Sequence, residues 1–237
     1  MFWAYGELSK LERLCISSFV LQGYRVNLWS YAPIQNAPKG VWHRDAREVL
    51  PEKKVFLNLN QSYVSFSDLF RYKLLNEMGG LYADTDVMAL TSTDFFSKPL
   101  LVTQREKSDA NHVSINNNII YNPSPRKGNL IDMAYTRASR FSPKKIRWEE
   151  IGTRLMSDLV VQHPEHGYEL MRPDFANPFD YWKCPGPLIT PGSALLVNSP
   201  FVHCYSSWWD RTGTDKNMAY PPGSLMASFE AKFDSLL

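Results

Sequence analysis

One stretch restricts the fold more than any other, Ser-Asp-Leu-Phe-Arg-Tyr-Lys-Leu-Leu-Asn-Glu-Met-Gly-Gly-Leu-Tyr-Ala-Asp-Thr-Asp from Ser67 to Asp86. Ser67 suits an N-cap, and Phe70, Leu74, Leu75 and Met78 recur on one helical face. Gly79-Gly80 supplies the backbone that ends a helix and that a residue with a Cβ resists. Leu81 to Ala83 then opens a short strand. A helix over Ser67–Met78 rises roughly 18 Å, and a strand running back from Leu81 to Asp86 covers roughly 16 to 20 Å. The carboxylates of Asp84 and Asp86 therefore return to the level of the helix start. Asp68 and Arg71, three apart, share a helix face there, so three acids and one base converge.

On a locally extended chain, Asp84 and Asp86 point to the same side. Two carboxylates so placed can share a hard divalent cation, Mg²⁺ or Mn²⁺, with a diphosphate completing the shell. Arg71 is expected to offer a fork to the phosphates and Asp68 to accept hydrogen bonds from sugar hydroxyls. Each has a structural counter-reading. Asp-x-Asp is common in surface turns, Asp68 suits the positive end of a helix, and Arg71 suits an ion pair.

Around this segment the chain alternates strand and helix. Met1 to Tyr5 reads as a strand broken by Gly6. Ser9 and Glu12 form a capping box for a helix whose face is Leu8, Leu11, Cys15 and Phe19, and Tyr24 to Ser30 alternates as a second strand. Pro33 to Pro51 reads as loop with a short helix at Asp45–Leu50. Ile115–Tyr121 is predicted as strand, Asn129–Arg140 and Arg147–His163 as helices, and Arg172–Pro200 as irregular loops. This β-α-β opening favours an α/β protein with a mainly parallel central sheet that binds ligands beyond its strand carboxyl ends.

No GxGxxG or GxxxxGK[ST] follows the first strand, so a bound nucleotide leans on a metal. With 26 Lys and Arg against 24 Asp and Glu, the net charge of +2 gives no footprint for nucleic acid. Cys15, Cys184 and Cys204 lack CxxC spacing and read as buried free thiols. No run is long and apolar enough for a membrane span, and Met1–Arg13 is not expected to be a signal peptide. The expected location is the cytoplasm, with peripheral contact at the inner face of a membrane left open. One domain over residues 1–237 is expected.

The segment resembles the glycosyltransferase sugar-binding region that contains the DXD motif. This is glycosyltransferase family 32 with its relatives, the yeast-type α-mannosyltransferases and the catalytic domains of large glucosylating toxins. The pattern is Ser-Asp, an Arg three after the Asp, then Gly-Gly-x-Tyr-x-Asp-x-Asp, matched here by Asp68, Arg71, Gly79, Gly80, Tyr82, Asp84 and Asp86. The resemblance implies a catalytic set of Asp68, Arg71, Asp84 and Asp86, with Asp86 the principal metal ligand and Asp84 on ribose, sugar or metal-bound water. Tyr82 is carried over as donor-binding.

Weaker similarities extend it. Trp3 resembles the family tryptophan that stacks on the nucleotide base, and Asn117 in Ile115-Asn-Asn-Asn-Ile-Ile resembles a donor-sugar contact. Val202-His-Cys-Tyr-Ser-Ser-Trp208 resembles the closing element, which makes His203 a third metal ligand beside Asp84 and Asp86, and Ser207 and Trp208 a lid over the phosphates. The implied fold is the GT-A type, a single α/β/α sandwich.

The implied activity is retaining transfer of a hexose from a nucleotide sugar, UDP-linked ahead of GDP-mannose, to a glycan or glycolipid acceptor in bacterial surface polysaccharide synthesis. Two rivals stay open: a haloacid-dehalogenase-like phosphohydrolase with Asp84 as nucleophile, and a non-catalytic sugar-binding relative.

Overall fold

Ser9 opens the first helix as the sequence predicts. Its backbone N–H donates to the Glu12 carboxylate at 3.2 Å, and α1 runs Lys10–Leu21. Ahead of it the chain is extended and pairs in parallel with β1 (Asn27–Ser30), the Trp3 N–H donating to the Trp29 carbonyl at 2.9 Å and the Trp29 N–H to the Met1 carbonyl at 3.1 Å. The β-α-β opening is thus present in its hydrogen bonds. β2 (Trp42–Asp45), inside the stretch read as loop, continues this sheet parallel to β1. These features come from a computed structural model that describes residues 1–92, 96–193 and 198–237.

Helix α2 (Val64–Met78) starts three residues before the expected cap at Ser67, because Ser62 Oγ accepts from the Val64 N–H at 3.2 Å and starts the turn earlier. Its core face carries Phe66, Phe70 and Leu74, whereas Met78, assigned to that face by periodicity, is 49% exposed. Gly79 stops the helix at φ 66°, ψ −161°. A Cβ there would stand 2.9 Å from the Asn122 carbonyl oxygen, so bare backbone is needed for the close approach to the next strands.

The remaining strands are β3 (Gly80–Ala83), β4 (Val87–Ala89), β5 (Leu100–Glu106), β6 (Asp109–Asn122), β7 (Glu169–Met171) and β8 (Phe201–His203). Four of them form a sheet in the order β3-β6-β5-β7, and β4 pairs with β8. The architecture is mixed α/β, and the mainly parallel central sheet expected from the opening requires correction. Among the described residues β3/β6, β5/β6 and β4/β8 are antiparallel, while β1/β2, β5/β7 and the bridge from Phe2 to Trp29 are parallel. The cause is local: two residues join β5 to β6, and a tight connection can only make an antiparallel pair.

The other helices are α3 (Leu130–Ala138), α4 (Thr153–Gln162), α5 (Gly186–Ile189), α6 (Ser206–Thr212) and α7 (Leu225–Phe233), with α4 packed on β6 and α3 between α2 and α4. Asn129 caps α3 by accepting from the Asp132 N–H at 2.9 Å. The helix expected over Arg147–His163 is shorter, since Glu149 takes a positive φ of 67° and residues 148–152 form turns instead. Arg172–Pro200 consists largely of short turns, as expected, with residues 194–197 outside the described residues. Among the described residues three apolar clusters fill the interior. Phe2, Phe66 and Phe70 join in one, with the Phe2 and Phe70 rings stacked at 4.1 Å. Cys15, Cys184 and Cys204 are free and buried. Among the described residues no helix is long and apolar enough to cross a membrane.

Candidate functional site

The turn from β3 to β4 carries Asp84, Thr85 and Asp86 onto the wall of a cleft of about 550 Å³. Strand alternation, the expected reason for their shared direction, is not what aims them. The Asp84 N–H donates to the Asn118 carbonyl at 2.8 Å and the Val87 N–H to the Asp84 carbonyl at 3.3 Å, which folds the three residues into a turn. The two carboxylates then meet different partners.

Asp84 is held by Arg71, whose Nη2 lies 2.9 Å from Oδ1 and whose Nη1 donates to Oδ2 at 3.3 Å. The rest of the guanidinium is also engaged. Nη1 donates to the Asn117 carbonyl, Nη2 to Ser67 Oγ at 3.3 Å, and Nε to the Ser67 carbonyl at 3.4 Å with Asp68 Oδ1 3.5 Å away. Four of the five donors of the fork thus have protein acceptors, and the ion pair to Asp84 Oδ1 engages the same guanidinium. The fork expected to reach phosphate closes on Asp84 instead. Burial pushes the Asp84 carboxyl up to about 6 against the pull of Arg71. Burial likewise raises Asp68, opposed by Arg71 and by Asn117 Nδ2, which donates to Asp68 Oδ1 at 3.3 Å.

Asp86 faces the other way. Burial disfavours its charge, yet the His203 ring and the Ser206 N–H, which donates to Oδ2 at 2.8 Å, together hold the carboxyl below the usual range. His203 Nε2 lies 3.4 Å from that same oxygen, and its Nδ1 lies 3.1 Å from Asn177 Oδ1. Asn177 Nδ2 donates to the Thr103 carbonyl at 2.9 Å, which turns Oδ1 toward His203 and assigns the ring proton to Nδ1. Nε2 is the ring nitrogen left facing the Asp86 carboxylate.

That arrangement sets what kind of metal the residues fit. Among the described residues no group of three His, Cys, Asp or Glu side chains encloses a metal position, so the expected set of Asp84, Asp86 and His203 does not close into a cage. It does fit an open site: an imidazole nitrogen faces a carboxylate, a second carboxylate stands nearby, and diphosphate and water complete the shell of a hard cation.

Of the other expected residues, Trp3, Asp68, Asn117, Ser207 and Trp208 line the cleft. Tyr82 does not: it is 1% exposed, its ring lies 4.9 Å under the Arg71 guanidinium, and its hydroxyl is 3.4 Å from Ser67 Oγ. Its position supports Arg71, a correction to the donor contact carried over from the motif. Two buried polar atoms of cleft-lining residues, Trp3 Nε1 and Asn117 Oδ1, have no protein partner.

The cleft also gathers residues that local pattern did not mark. Trp148, Glu149, Arg211 and Lys216 line it. The Arg211 guanidinium lies 5.0 Å from the Trp148 ring and 5.1 Å from the Trp208 ring, tying the turn before α4 to α6. Glu12, read only as a capping-box acid, is 1% exposed and accepts from Ser206 Oγ at 2.6 Å. Residues so far apart in sequence give no spacing signal; only the folded chain joins them.

Residues 24–106 match the family model described as the glycosyltransferase sugar-binding region containing the DXD motif. The matched stretch holds Asp68, Arg71, Tyr82, Asp84 and Asp86, while Trp3, Asn117, His203, Ser207 and Trp208 reach the same structure from outside it. Among solved structures the chain is similar to the PaToxG glycosyltransferase, at 14% identity over 68% of this chain and 67% of that chain, with a TM-score of 0.45. No curated protein matches it.

Proposed function

We propose that the protein is a metal-dependent, retaining glycosyltransferase of GT-A type, one catalytic domain that moves a hexose from a nucleotide sugar to a glycan or glycolipid hydroxyl. The observation that carries this reading is the division of labour at the β3–β4 turn, with Asp84 fixed by Arg71 and Asp86 left facing His203 and the cleft. A divalent cation held by Asp86, with Asp84 and His203 beside it, supplies charge neutralisation for a departing nucleoside diphosphate.

The chain's own residues position the donor. Asp68 and the unpartnered Asn117 Oδ1 accept hydrogen bonds from sugar hydroxyls, Trp3 stands at the base, and Ser207 and Trp208 cover the phosphates from α6. Arg71 serves from behind, fixing the direction of Asp84. In the transfer, the bond from C1 to the diphosphate oxygen breaks and the acceptor hydroxyl oxygen bonds C1 on the same face. Its proton passes to a diphosphate oxygen. UDP-linked donors rank first and GDP-mannose second, by the resemblance. Asp84, with both oxygens on Arg71, is poorly placed as the nucleophile of a phosphohydrolase.

The test is release of nucleotide from a panel of UDP- and GDP-sugars with Mn²⁺, with Mg²⁺ and with chelator. Metal-dependent release from one donor, lost in Asp86→Ala with unchanged circular dichroism, is the expected result. Near-normal turnover by that variant removes the metal site from the proposal.

A further inference from the structure

As the sugar leaves, the diphosphate gains negative charge, beside a wall that already carries Asp68, Asp84 and Asp86. Arg71 is already committed: four of its five N–H groups donate within the protein, and its Nη2 lies 2.9 Å from Asp84 Oδ1 in an ion pair. Beside the divalent cation proposed above, a side-chain cation other than Arg71 is left to meet the phosphate. Arg211 lies between two indoles and is exposed. Lys216 lies deeper. Its side chain is 18% exposed and lines the cleft, with Nζ 3.0 Å from Ser206 Oγ and 2.9 Å from Asp210 Oδ2. Ser206 in turn donates its N–H to Asp86. One residue therefore joins the ammonium to the carboxylate assigned to the cation.

We propose that Lys216 is a diphosphate-binding residue, its ammonium taking charge on the leaving group that Arg71 cannot reach. The inference rests on the nucleotide-sugar reading above and adds a residue that lies outside the matched motif. Two of the three ammonium donors have partners at hydrogen-bond distance, and Glu12 Oε1, at 3.8 Å, is too far for a third. One N–H is left for the cleft. Asp210 is 65% exposed, so its pairing is screened and yields to a phosphate at little cost. Glu12 acts as a positioning residue, because its buried carboxylate holds Ser206 Oγ and biases the ammonium toward Asp86.

A structural tie between α1 and α6 would produce the same bonds, so the test separates the two. Affinities of UDP, GDP and their nucleosides are measured with Mn²⁺ and with chelator for wild type, Lys216→Met and Lys216→Arg, alongside thermal unfolding. Lys216→Met is expected to weaken whichever diphosphate the wild type binds by roughly tenfold or more and to leave the nucleoside within about twofold. Lys216→Arg should recover most of the loss. Diphosphate binding within about twofold of wild type in Lys216→Met overturns the inference. So does an equal loss for nucleoside and diphosphate with a lowered Tm. A wild type that binds neither diphosphate overturns the donor reading itself, and this inference with it.

Discussion

Arg71 is 3% exposed and sits between Asp68 and Asp84, so removing it strands one buried and one half-buried carboxylate. Breaking a buried pair from one side typically costs ~3–5 kcal/mol, more than the pair itself contributes, because the leftover charge has lost both water and partner. Arg71→Met should therefore lower the urea unfolding free energy by about 3 kcal/mol, as well as abolish activity. Arg71→Lys should rescue little, since a single ammonium cannot span Asp84, Ser67 and the Asn117 carbonyl together. A stability change under about 1 kcal/mol for Arg71→Met would mean that the acids relax to water, contrary to the geometry. Gly152 makes a second, quieter case. A Cβ there would lie 2.5 Å from Asp68 Oδ2, so the backbone before α4 shapes the pocket of a carboxylate far away in sequence. Gly152→Ala should displace Asp68 and lower kcat/KM by roughly ten- to hundredfold. Unchanged kinetics would show that Asp68 tolerates the shift.

At the level of elements, the α2-turn-β3 unit owes its sharp reversal to Gly79. Its φ of 66° and ψ of −161° fall in a region open essentially to glycine, and the Asn122 carbonyl blocks a Cβ. Gly79→Ala should cost ~2–3 kcal/mol and move the β3–β4 turn with it, measurable as parallel losses in unfolding free energy and nucleotide affinity. This unit was legible in sequence because its signals are local: helical spacing, a glycine stop and a short apolar strand. So was α1, whose capping box is formed as predicted. What escaped was non-local. β2 carries His43, Arg44 and Asp45 and lies among charges and prolines, so its pattern resembles a loop until β1 pairs with it. Sheet direction escaped for the same reason, because the β5–β6 hairpin decides it after the chain has already shown a β-α-β opening. The positive φ at Glu149, which shortens the helix expected from Arg147, has no marker in a residue that ordinarily avoids that conformation.

Across the molecule, the cleft is assembled from the extended N-terminal residues, α2, the β3–β4 turn, β6, the turn before α4, and α6. The motif announced the acids, but not how they divide, since whether an aspartate faces an arginine or open space depends on side chains that arrive from both ends of the chain. Asp86 shows this most clearly: its carboxylate is read against His203 and Ser206, more than a hundred residues away. A site built this way couples ligand binding to the whole fold. A ligand that binds only the folded chain stabilises it by RT ln(1 + [L]/Kd), which is about 2.7 kcal/mol at a hundredfold excess over Kd. For a chain of this size each kcal/mol moves Tm by about 2–4 °C, so the fitting nucleoside diphosphate with Mn²⁺ should raise Tm by about 5–10 °C. Chelator should remove most of that rise, and Asp86→Ala should remove it in the presence of metal. A full rise that survives chelator would mean that protein side chains alone hold the diphosphate, and would shift the weight of donor binding from the Asp86 carboxylate to the cations of α6 and Lys216.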